Sequence, residues 1–310
     1  MEHAVVHFAA EKALSKILKY IDKAPEENLL KILDVAEKYF KMFPQKNFKS
    51  MKAAVMDKDN VYMQLAKGIL NDIDRDLVKS LLLSLGVHAG YFGTKTVRKN
   101  RDKYNCNIPF TILFDPTSAC NLRCKGCWAA EYGHSFELSL DEMRSIVTQG
   151  KKLGTHFYML TGGEPLIKKD EILTLCEENP DCAFLAYTNA TLINQEFCDR
   201  MKKVGNLALA LSIEGNEESN DFRRGEGAYS TTIKAMDLLR ENGLLYGISV
   251  CYTSKNIPYV TSDELGLFSS VSSSGVVKNL TMHGLKINVP NKSYIGAIAG
   301  SCAGSITNCH

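Results

Sequence analysis

The sequence predicts an α/β protein: a partial parallel (β/α) barrel, preceded by an α-helical domain and followed by a small β-rich tail. Three observations support this. Residues 1–105 carry apolar positions at helical spacing, strand-like runs alternate with amphipathic segments over 106–262, and residues 263–310 are rich in Gly and Ser. Strands that alternate with helices form parallel sheets with right-handed crossovers. We therefore expect three domains with these boundaries.

The first hundred residues are expected to form a helical bundle. Leu14, Ile17, Leu18 and Ile21 fall on one helical face, and Pro25 is placed to open a second helix. Such stripes favour a shared bundle core over a partner-binding surface. Two further helices are predicted at Val61–Leu70 and at Leu77–Leu85 with Gly86 as its end, and the polar stretch Lys95–Asn105 is predicted to be a linker.

Five apolar or β-branched runs predict the strands of the sheet, and the first is expected to be buried. These runs are Phe110–Phe114, His156–Leu160, Ala183–Tyr187, Leu207–Ile213 and Tyr246–Tyr252. Ser139 and Glu142 predict a capping box at the start of one intervening helix, and Gly243 is a suitable end for another over Tyr229–Asn242. Because ligands gather at the carboxyl ends of parallel strands, we expect the functional residues there.

Composition excludes several functional classes. The 310 residues carry a net charge of +2 and no basic stripe with interleaved aromatic residues, so we expect no nucleic-acid partner. No apolar run has the length of a membrane span, and the first residues lack the pattern of a signal peptide, so we expect no membrane association. Ten cysteines are then typical of a reducing cytoplasm, where thiols stay available for metals.

The tail contains two partial copies of a segment about thirty residues long. Gly266 of the first copy matches Gly296 of the second, and Asn279 matches Asn308. Such a period indicates β-hairpins or solenoid turns, and a disordered Ser/Gly-rich tail is the alternative. The stretch resembles the GLUG repeats of bacterial surface proteins.

Three cysteines in one loop carry the most specific signal. Cys120, Cys124 and Cys127 have the spacing C-x3-C-x2-C directly after the first predicted strand. Three thiolates hold three irons of a 4Fe–4S cluster and leave the fourth without a protein ligand, whereas electron carriers normally use four. Zinc and unliganded thiols are the alternatives, but no second Cys-x2-Cys pair accompanies the loop.

This loop resembles that of the radical S-adenosylmethionine (SAM) superfamily. The resemblance implies a 4Fe–4S cluster on the three cysteines and SAM on its open iron. One electron then splits SAM into methionine and a deoxyadenosyl radical, which abstracts hydrogen from the substrate. Gly126 stands where the family usually has an aromatic residue, and Trp128 follows the last cysteine.

Further residues match family elements that bind SAM. Gly162, Gly163, Glu164 and Pro165 correspond to the turn that binds the SAM amino group. Asn189 lies in a turn similar to the family's Thr-Asn-Gly, with Ala190 in place of glycine.

The end of the fourth predicted strand and the segment after it add three more candidates. Ser212 and Glu214 are the candidates for the SAM ribose and carboxylate, and Arg223 for the SAM carboxylate. For Arg223 and for its neighbour Arg224, a solvated surface position is the alternative.

The remaining cysteines are assigned simpler roles. Cys176, Cys182, Cys198 and Cys251 are expected to be small core residues. Cys302 and Cys309, near the end of the sequence, do not match the spacing of auxiliary cluster ligands.

The match is closest to the branch that contains molybdenum-cofactor, nitrogenase-cofactor and peptide-modifying enzymes. It implies a small-molecule or peptide substrate and an electron donor such as flavodoxin or ferredoxin. A complete family core has six βα units, and the sequence predicts only five strands before the repeat-like tail. The alternative is therefore a truncated or fused remnant that binds cluster and SAM without full activity; a surface-adhesion role for the tail is a third possibility.

Overall fold

A computed structural model describes residues 2–23, 25–39, 45–57, 60–129, 133 and 135–251, together with six short strands of the tail. By contacts between Cα atoms the chain divides into two compact units. Unit 1 comprises Met1–Arg123, Cys127–Ser212 and Thr231–Ile248, and unit 2 comprises Cys124–Gly126, Ile213–Ser230 and Ser249–His310. The predicted boundaries at 105 and 262 stay predictions.

The amino-terminal part is helical as predicted. It consists of α1 (Glu2–Lys23), α2 (Pro25–Tyr39), α3 (Gln45–Met56), α4 (Val61–Asp72), α5 (Arg75–Leu81), a π-helix (Leu82–Gly93) and α6 (Thr94–Tyr104). Asn60 and Asp74 cap α4 and α5 by accepting hydrogen bonds from the first backbone N–H groups of each helix. None of the described helices is long and apolar enough to cross a bilayer.

Two predictions about this region are wrong. Gly86 does not end a helix, because the apolar segment around it continues as the π-helix and buries Leu83 and Ala89. The stretch Lys95–Asn105 is not a linker but α6. The Asn100 amide donates to the carbonyls of residues 152 and 153 at 3.1 Å, so one face of this polar helix is buried.

All five predicted strands form one parallel sheet in the order β1-β2-β3-β4-β5. Its elements are β1 (Thr111–Thr117), α7 (Leu140–Leu153), β2 (Phe157–Gly162), a 3-10 helix (Pro165–Lys168), α8 (Lys169–Glu178), β3 (Ala183–Thr188), α9 (Gln195–Val204), β4 (Leu207–Ser212), α10 (Glu217–Arg224), α11 (Ala228–Glu241) and β5 (Tyr246–Ser249). The sheet is open, as expected for a partial barrel. The capping box of Ser139 and Glu142 is confirmed at the start of α7.

Strand β1 is an edge strand rather than the buried strand predicted. Phe110 and Leu113 are 47% and 54% exposed, and only Phe114 of the apolar run is buried. Pro116 lacks a backbone N–H, and the pairing of β1 with β2 shifts between Phe114 and Thr117. Cys251, expected in the core, is exposed because it follows β5 at the other edge of the sheet.

The core of unit 1 lies between the sheet and its helices. Its largest fully buried members are Tyr158, Phe184, Phe197, Leu77, Met143, Leu160, Leu166, Ile172, Leu173, Leu175, Met201 and Leu207. The buried amide of Asn206, just before β4, donates to the carbonyls of Cys176, Asn179 and Cys182 at 2.9–3.1 Å. This one side chain ties the end of α8 to the start of β3.

The tail strands pair in parallel between the two repeat copies. They are β6 (Glu264–Leu265), β7 (Phe268–Val271), β8 (Val276–Lys278), β9 (Tyr294–Ile295), β10 (Ala299–Cys302) and β11 (Ser305–Thr307). Strand β6 pairs with β9, β7 with β10 and β8 with β11. The β-rich tail is thus confirmed, while Gly266, Asn279, Gly296, Asn308 and Cys309 lie outside the described residues.

Loss of the Asn206 amide should destabilise the fold. Asn206→Ala removes three buried hydrogen bonds, although the carbonyls of Cys176 and Asn179 keep the backbone donors of Asn179 and Cys182. The free energy of unfolding should therefore fall by about 3 kcal/mol, at roughly 1 kcal/mol per hydrogen bond. Ser139→Ala, which removes an exposed cap, should cost only about 1 kcal/mol. Urea unfolding of both variants measures the difference, and equal losses would contradict the role assigned to Asn206.

Candidate functional site

The cysteine loop runs from the end of β1 towards α7. Cys120, Cys124 and Cys127 are half-buried, and none of these described thiols is in a disulfide. Cys120 and Cys127 belong to unit 1, and Cys124 belongs to unit 2. Gly126 has a φ of 69°, a left-handed conformation that glycine adopts without the steric cost of a Cβ.

In unit 1, the turn after β2 packs backbone against backbone on the segment that enters this loop. The Gly163 N–H donates to the Thr117 carbonyl at 3.0 Å, and the Glu164 N–H donates to the Ala119 carbonyl at 2.8 Å. A Cβ on Gly163 would lie 2.1 Å from the Ala119 oxygen, and one on Gly162 would lie 2.6 Å from the Thr117 oxygen. Both glycines are therefore required by the close approach, and Gly162 also by its φ of 109°.

The carboxylate of Glu164 joins the carboxyl ends of β2 and β3. It is 1% exposed and accepts hydrogen bonds from the Thr188 hydroxyl (2.7 Å), the Asn189 N–H (2.7 Å) and the Leu166 N–H (3.0 Å). Pro165 follows as the first residue of the 3-10 helix. The predicted SAM-binding turn is thus held rigidly against the next strand.

Asn189 links the end of β3 to the cysteine loop. Its side-chain amide donates to the Asn121 oxygen at 2.8 Å and lies 3.9 Å from the Cys120 sulfur. Its amide oxygen accepts from the Thr191 N–H at 3.0 Å. Ala190, which stands where the family has glycine, adopts a φ of 69°, so the turn keeps the left-handed conformation despite the substitution.

Unit 2 contains a second buried carboxylate, that of Glu214, which is 1% exposed. It accepts hydrogen bonds from the guanidinium groups of Arg223 (2.9 Å) and Arg224 (2.7 Å) and from the Cys251 N–H (2.8 Å). A buried charge is tolerated when it is paired in this way. Ser212 ends β4 just before this segment.

Arg224 extends this network to the cysteine loop residues of unit 2. Its guanidinium lies 4.0 Å from the Cys124 sulfur, and the Lys125 N–H donates to the Arg223 carbonyl at 2.8 Å. The Lys125 ammonium lies 3.8 Å from the centre of the Phe222 ring. A positive charge beside a thiol favours the thiolate that metals need.

Sequence reasoning did not single out these contacts. Arg223 and Arg224 are ion-paired and largely buried in α10, so the alternative of a solvated surface is wrong for both. Asn121 is not indicated by the sequence, and Thr188 is indicated only as part of the turn that resembles Thr-Asn-Gly, because their contacts depend on turns that meet only in the fold. The tandem of two arginines after an aromatic residue was the available signal for Arg224.

A cavity of about 500 Å³ opens in unit 1 at the carboxyl ends of β1 and β2. It is lined by Asp115, Ser118, Trp128, Ala129, Phe136, Glu137, Leu138, Gly162 and Gly163. Burial raises the pKa of the Asp115 carboxyl. A largely apolar pocket that is lined by two carboxylic residues, Asp115 and Glu137, and by the Gly162–Gly163 turn suits a bound organic molecule.

These residues fit the cofactors that the sequence predicts. Three thiols in one loop form a donor set for iron, and hydrogen-bond donors to sulfur tune iron–sulfur clusters. The Asn189 amide and the Arg224 guanidinium are such donors, for Cys120 and Cys124 respectively.

Comparison with known proteins gives several relatives. Over 151 residues the chain is 29% identical to an Fe-coproporphyrin III synthase of Methanosarcina barkeri, covering 47% of this chain and 38% of the relative. Over 171 residues it is 25% identical to the mycofactocin maturase MftC of Mycolicibacterium smegmatis, covering 54% and 42%. The chain thus spans less than half the length of these relatives.

Among solved structures, SuiB of Streptococcus suis bound to the precursor peptide SuiA matches with a TM-score of 0.45 and 24% identity. The match covers 52% of this chain and 37% of SuiB. The family model described as the radical SAM superfamily matches residues 114–267. This chain therefore carries a radical SAM domain, the domain of enzymes that use a 4Fe–4S cluster and S-adenosylmethionine.

Proposed function

We propose that this chain holds a 4Fe–4S cluster through Cys120, Cys124 and Cys127 and uses it to cleave SAM and abstract hydrogen from a substrate. The close backbone contact of the Gly162–Gly163 turn with the entry to the cysteine loop carries the proposal. It holds the predicted SAM-binding turn against the segment that enters the predicted cluster loop. When bound, cluster and SAM supply the one-electron cleavage that starts the reaction.

The residues of the chain bind and orient the cluster and SAM. The three thiolates are the iron ligands, and the Arg224 guanidinium contacts the sulfur of Cys124. Gly162, Gly163, Glu164 and Pro165 form the turn for the SAM amino group. The Glu164 carboxylate contributes by fixing this turn, because three protein donors already bind it.

The other SAM contacts are proposed for Asn189, Ser212, Glu214 and Arg223. Asn189 is well placed for this role because its amide faces Cys120. Glu214 accepts hydrogen bonds from the guanidinium groups of Arg223 and Arg224. We therefore propose that Glu214 orients Arg223 towards the SAM carboxylate, in addition to its predicted contact with the SAM ribose.

We propose a small-molecule or peptide substrate that enters the cavity beside Gly162 and Gly163. The relatives named above act in porphyrin synthesis and in mycofactocin maturation, so they support both classes. The mycofactocin maturase fits the peptide-modifying part of the predicted branch, and its molybdenum- and nitrogenase-cofactor parts stay predictions. A flavodoxin or ferredoxin is the proposed electron donor, and the cytoplasm is the proposed location.

A truncated or fused remnant is the second candidate. The described sheet has five strands, one fewer than a complete family core, so β5 forms its edge. An open edge leaves part of the barrel interior uncovered. We also propose that the tail is a GLUG-like module, an interpretation that the parallel pairing between its two copies supports.

Release of deoxyadenosine distinguishes the two candidates. The full chain, reconstituted with iron and sulfide without oxygen, should release deoxyadenosine from SAM only when dithionite is present. A remnant would carry the cluster and give no deoxyadenosine above the rate without dithionite.

Iron content tests the three ligands. The reconstituted chain should hold about four irons and four sulfides, and replacing Cys120, Cys124 and Cys127 by Ala should remove nearly all of both. Cys198→Ala is the matched control, since this thiol lies in the core of unit 1, and it should keep the iron. Iron retained by the triple variant would refute the assignment.

Gly163→Ala tests the contact between the turn and the loop. The new Cβ would overlap the Ala119 carbonyl, so the turn must move. A displaced turn would lose hydrogen bonds to SAM, each worth about 0.5–1.5 kcal/mol, so we expect SAM affinity in equilibrium dialysis to fall by about tenfold. Gly247→Ala has open space around its Cβ and should bind SAM normally. Unchanged affinity of Gly163→Ala would contradict the proposed role of the turn.

A further inference from the structure

A second cluster of metal-ligating side chains lies at the opposite end of the sheet of unit 1. His156 directly precedes β2, and Asp181 and Cys182 directly precede β3. Because the two strands pair in parallel, with Phe157 opposite Ala183, the three residues meet at their amino ends. The residues assigned to cluster and SAM binding in unit 1 lie at the carboxyl ends, so this is a separate site.

The three side chains are spaced as ligands of one ion. The His156 Nδ1 lies 3.5 Å from the Asp181 Oδ2 and 3.8 Å from the Cys182 sulfur, and that sulfur lies 4.0 Å from the Asp181 Oδ1. Tetrahedral zinc, with bonds of about 2.0–2.3 Å, holds its ligand atoms about 3.4–3.6 Å apart. The distance to the sulfur is measured from Oδ1, which also contacts Lys151, and one ligand atom from each residue lies within 4.8 Å of the others. Closing around one ion therefore requires the side chains to move by up to about 1 Å.

From this geometry we propose that His156, Asp181 and Cys182 bind a zinc-type divalent ion that joins the amino ends of β2 and β3. One nitrogen, one oxygen and one sulfur ligand form a set that suits zinc and not the hard ions magnesium and calcium. Water completes the coordination, since the side chains of His156 and Asp181 are 13% and 28% exposed to solvent. At the amino ends of parallel strands the ion stabilises the fold rather than reacting with substrate.

The surroundings hold the ligands in place. The His88 ring, from the π-helix, stacks on that of His156 with 6.3 Å between ring centres. The Lys151 ammonium lies 2.6 Å from the Asp181 Oδ1, while Oδ2 is the oxygen towards His156. Metal-binding carboxylates and imidazoles are commonly oriented by such outer contacts.

Binding of a cation would change the protonation of its ligands, Asp181, Cys182 and His156. Burial raises the pKa of Asp181, but its hydrogen bond to Lys151 and the charge of Lys151 bring the pKa below its usual value. Burial, followed by the charge of Asp181, raises the pKa of the Cys182 thiol. Zinc binds the thiolate form of cysteine, so binding of the ion at Cys182 would release the thiol proton to water.

The His156 ring must also shift a proton when the ion binds. Its Nδ1 lies 3.1 Å from the Asp181 carbonyl oxygen, which only accepts, so the proton sits on Nδ1 before metal binding. The ion takes the place of this proton, which moves to Nε2, and the imidazole stays neutral.

Zinc binding by the full chain tests the proposal. The chain with Cys120, Cys124 and Cys127 replaced by Ala serves as background, because those thiols would bind added zinc as well. It should retain about one Zn²⁺ after dialysis, as a single three-ligand site requires. Co²⁺ in its place should show thiolate-to-cobalt charge-transfer absorption. Cys182→Ser or His156→Gln in this background should weaken Zn²⁺ binding by more than about 100-fold, since even outer contacts cost roughly 10–100-fold.

Two further variants keep the outcome clear if Cys182→Ser unfolds. Cys198→Ser, which alters another fully buried thiol, should bind Zn²⁺ as the background does. Lys151→Gln removes the cation that Asp181 contacts, so it should lower the melting temperature without metal, and Zn²⁺ should restore it. No zinc retained by the background, or no restoration in Lys151→Gln, would overturn the proposal.

Discussion

The close approach of two backbone segments in unit 1 is the constraint on which the predicted cofactor site depends. Gly162 and Gly163 bring the turn after β2 so near Thr117 and Ala119 that no side chain fits between them. Two backbone hydrogen bonds fix the distance. The entry to the cysteine loop is therefore held by the backbone of the sheet rather than by flexible side chains. Strands β1 and β2 thus determine the position of Cys120. A site of this kind needs few dedicated residues, which explains why short motifs in the sequence predict it.

In each unit a buried carboxylate binds and positions the residues around it. Glu164 in unit 1 accepts hydrogen bonds from a hydroxyl and two backbone N–H groups and so fixes a turn. Glu214 in unit 2 binds two guanidinium groups and so fixes cations. Both are desolvated, and removing a partner from either would leave a costly buried charge. The same residue type thus serves two tasks, set by the donors around it, and the sequence motif alone does not distinguish them.

Sequence patterns predict correctly the elements whose signal is local. They do not predict the elements whose structure or exposure depends on tertiary contacts. All five strands, the capping box at Ser139 and the helix opened by Pro25 follow from periodicity and caps. The stretch after Lys95 was misassigned because its helix is polar and is held by Asn100 on distant carbonyls. The exposure of β1 depends on its place at the sheet edge, which an apolar run does not reveal.

The cysteines show the same limit most clearly. A spacing of four and three residues identifies Cys120, Cys124 and Cys127 from sequence, because one loop holds all of them. His156 and Cys182 are separated by a whole βα unit, and only the parallel register of β2 and β3 brings them together. Cys182 was expected to be a core residue, and it is buried, but its sulfur also faces an imidazole and a carboxylate. Burial and ligation are therefore compatible for this thiol, since a metal ion compensates for the desolvation that otherwise keeps the proton in place.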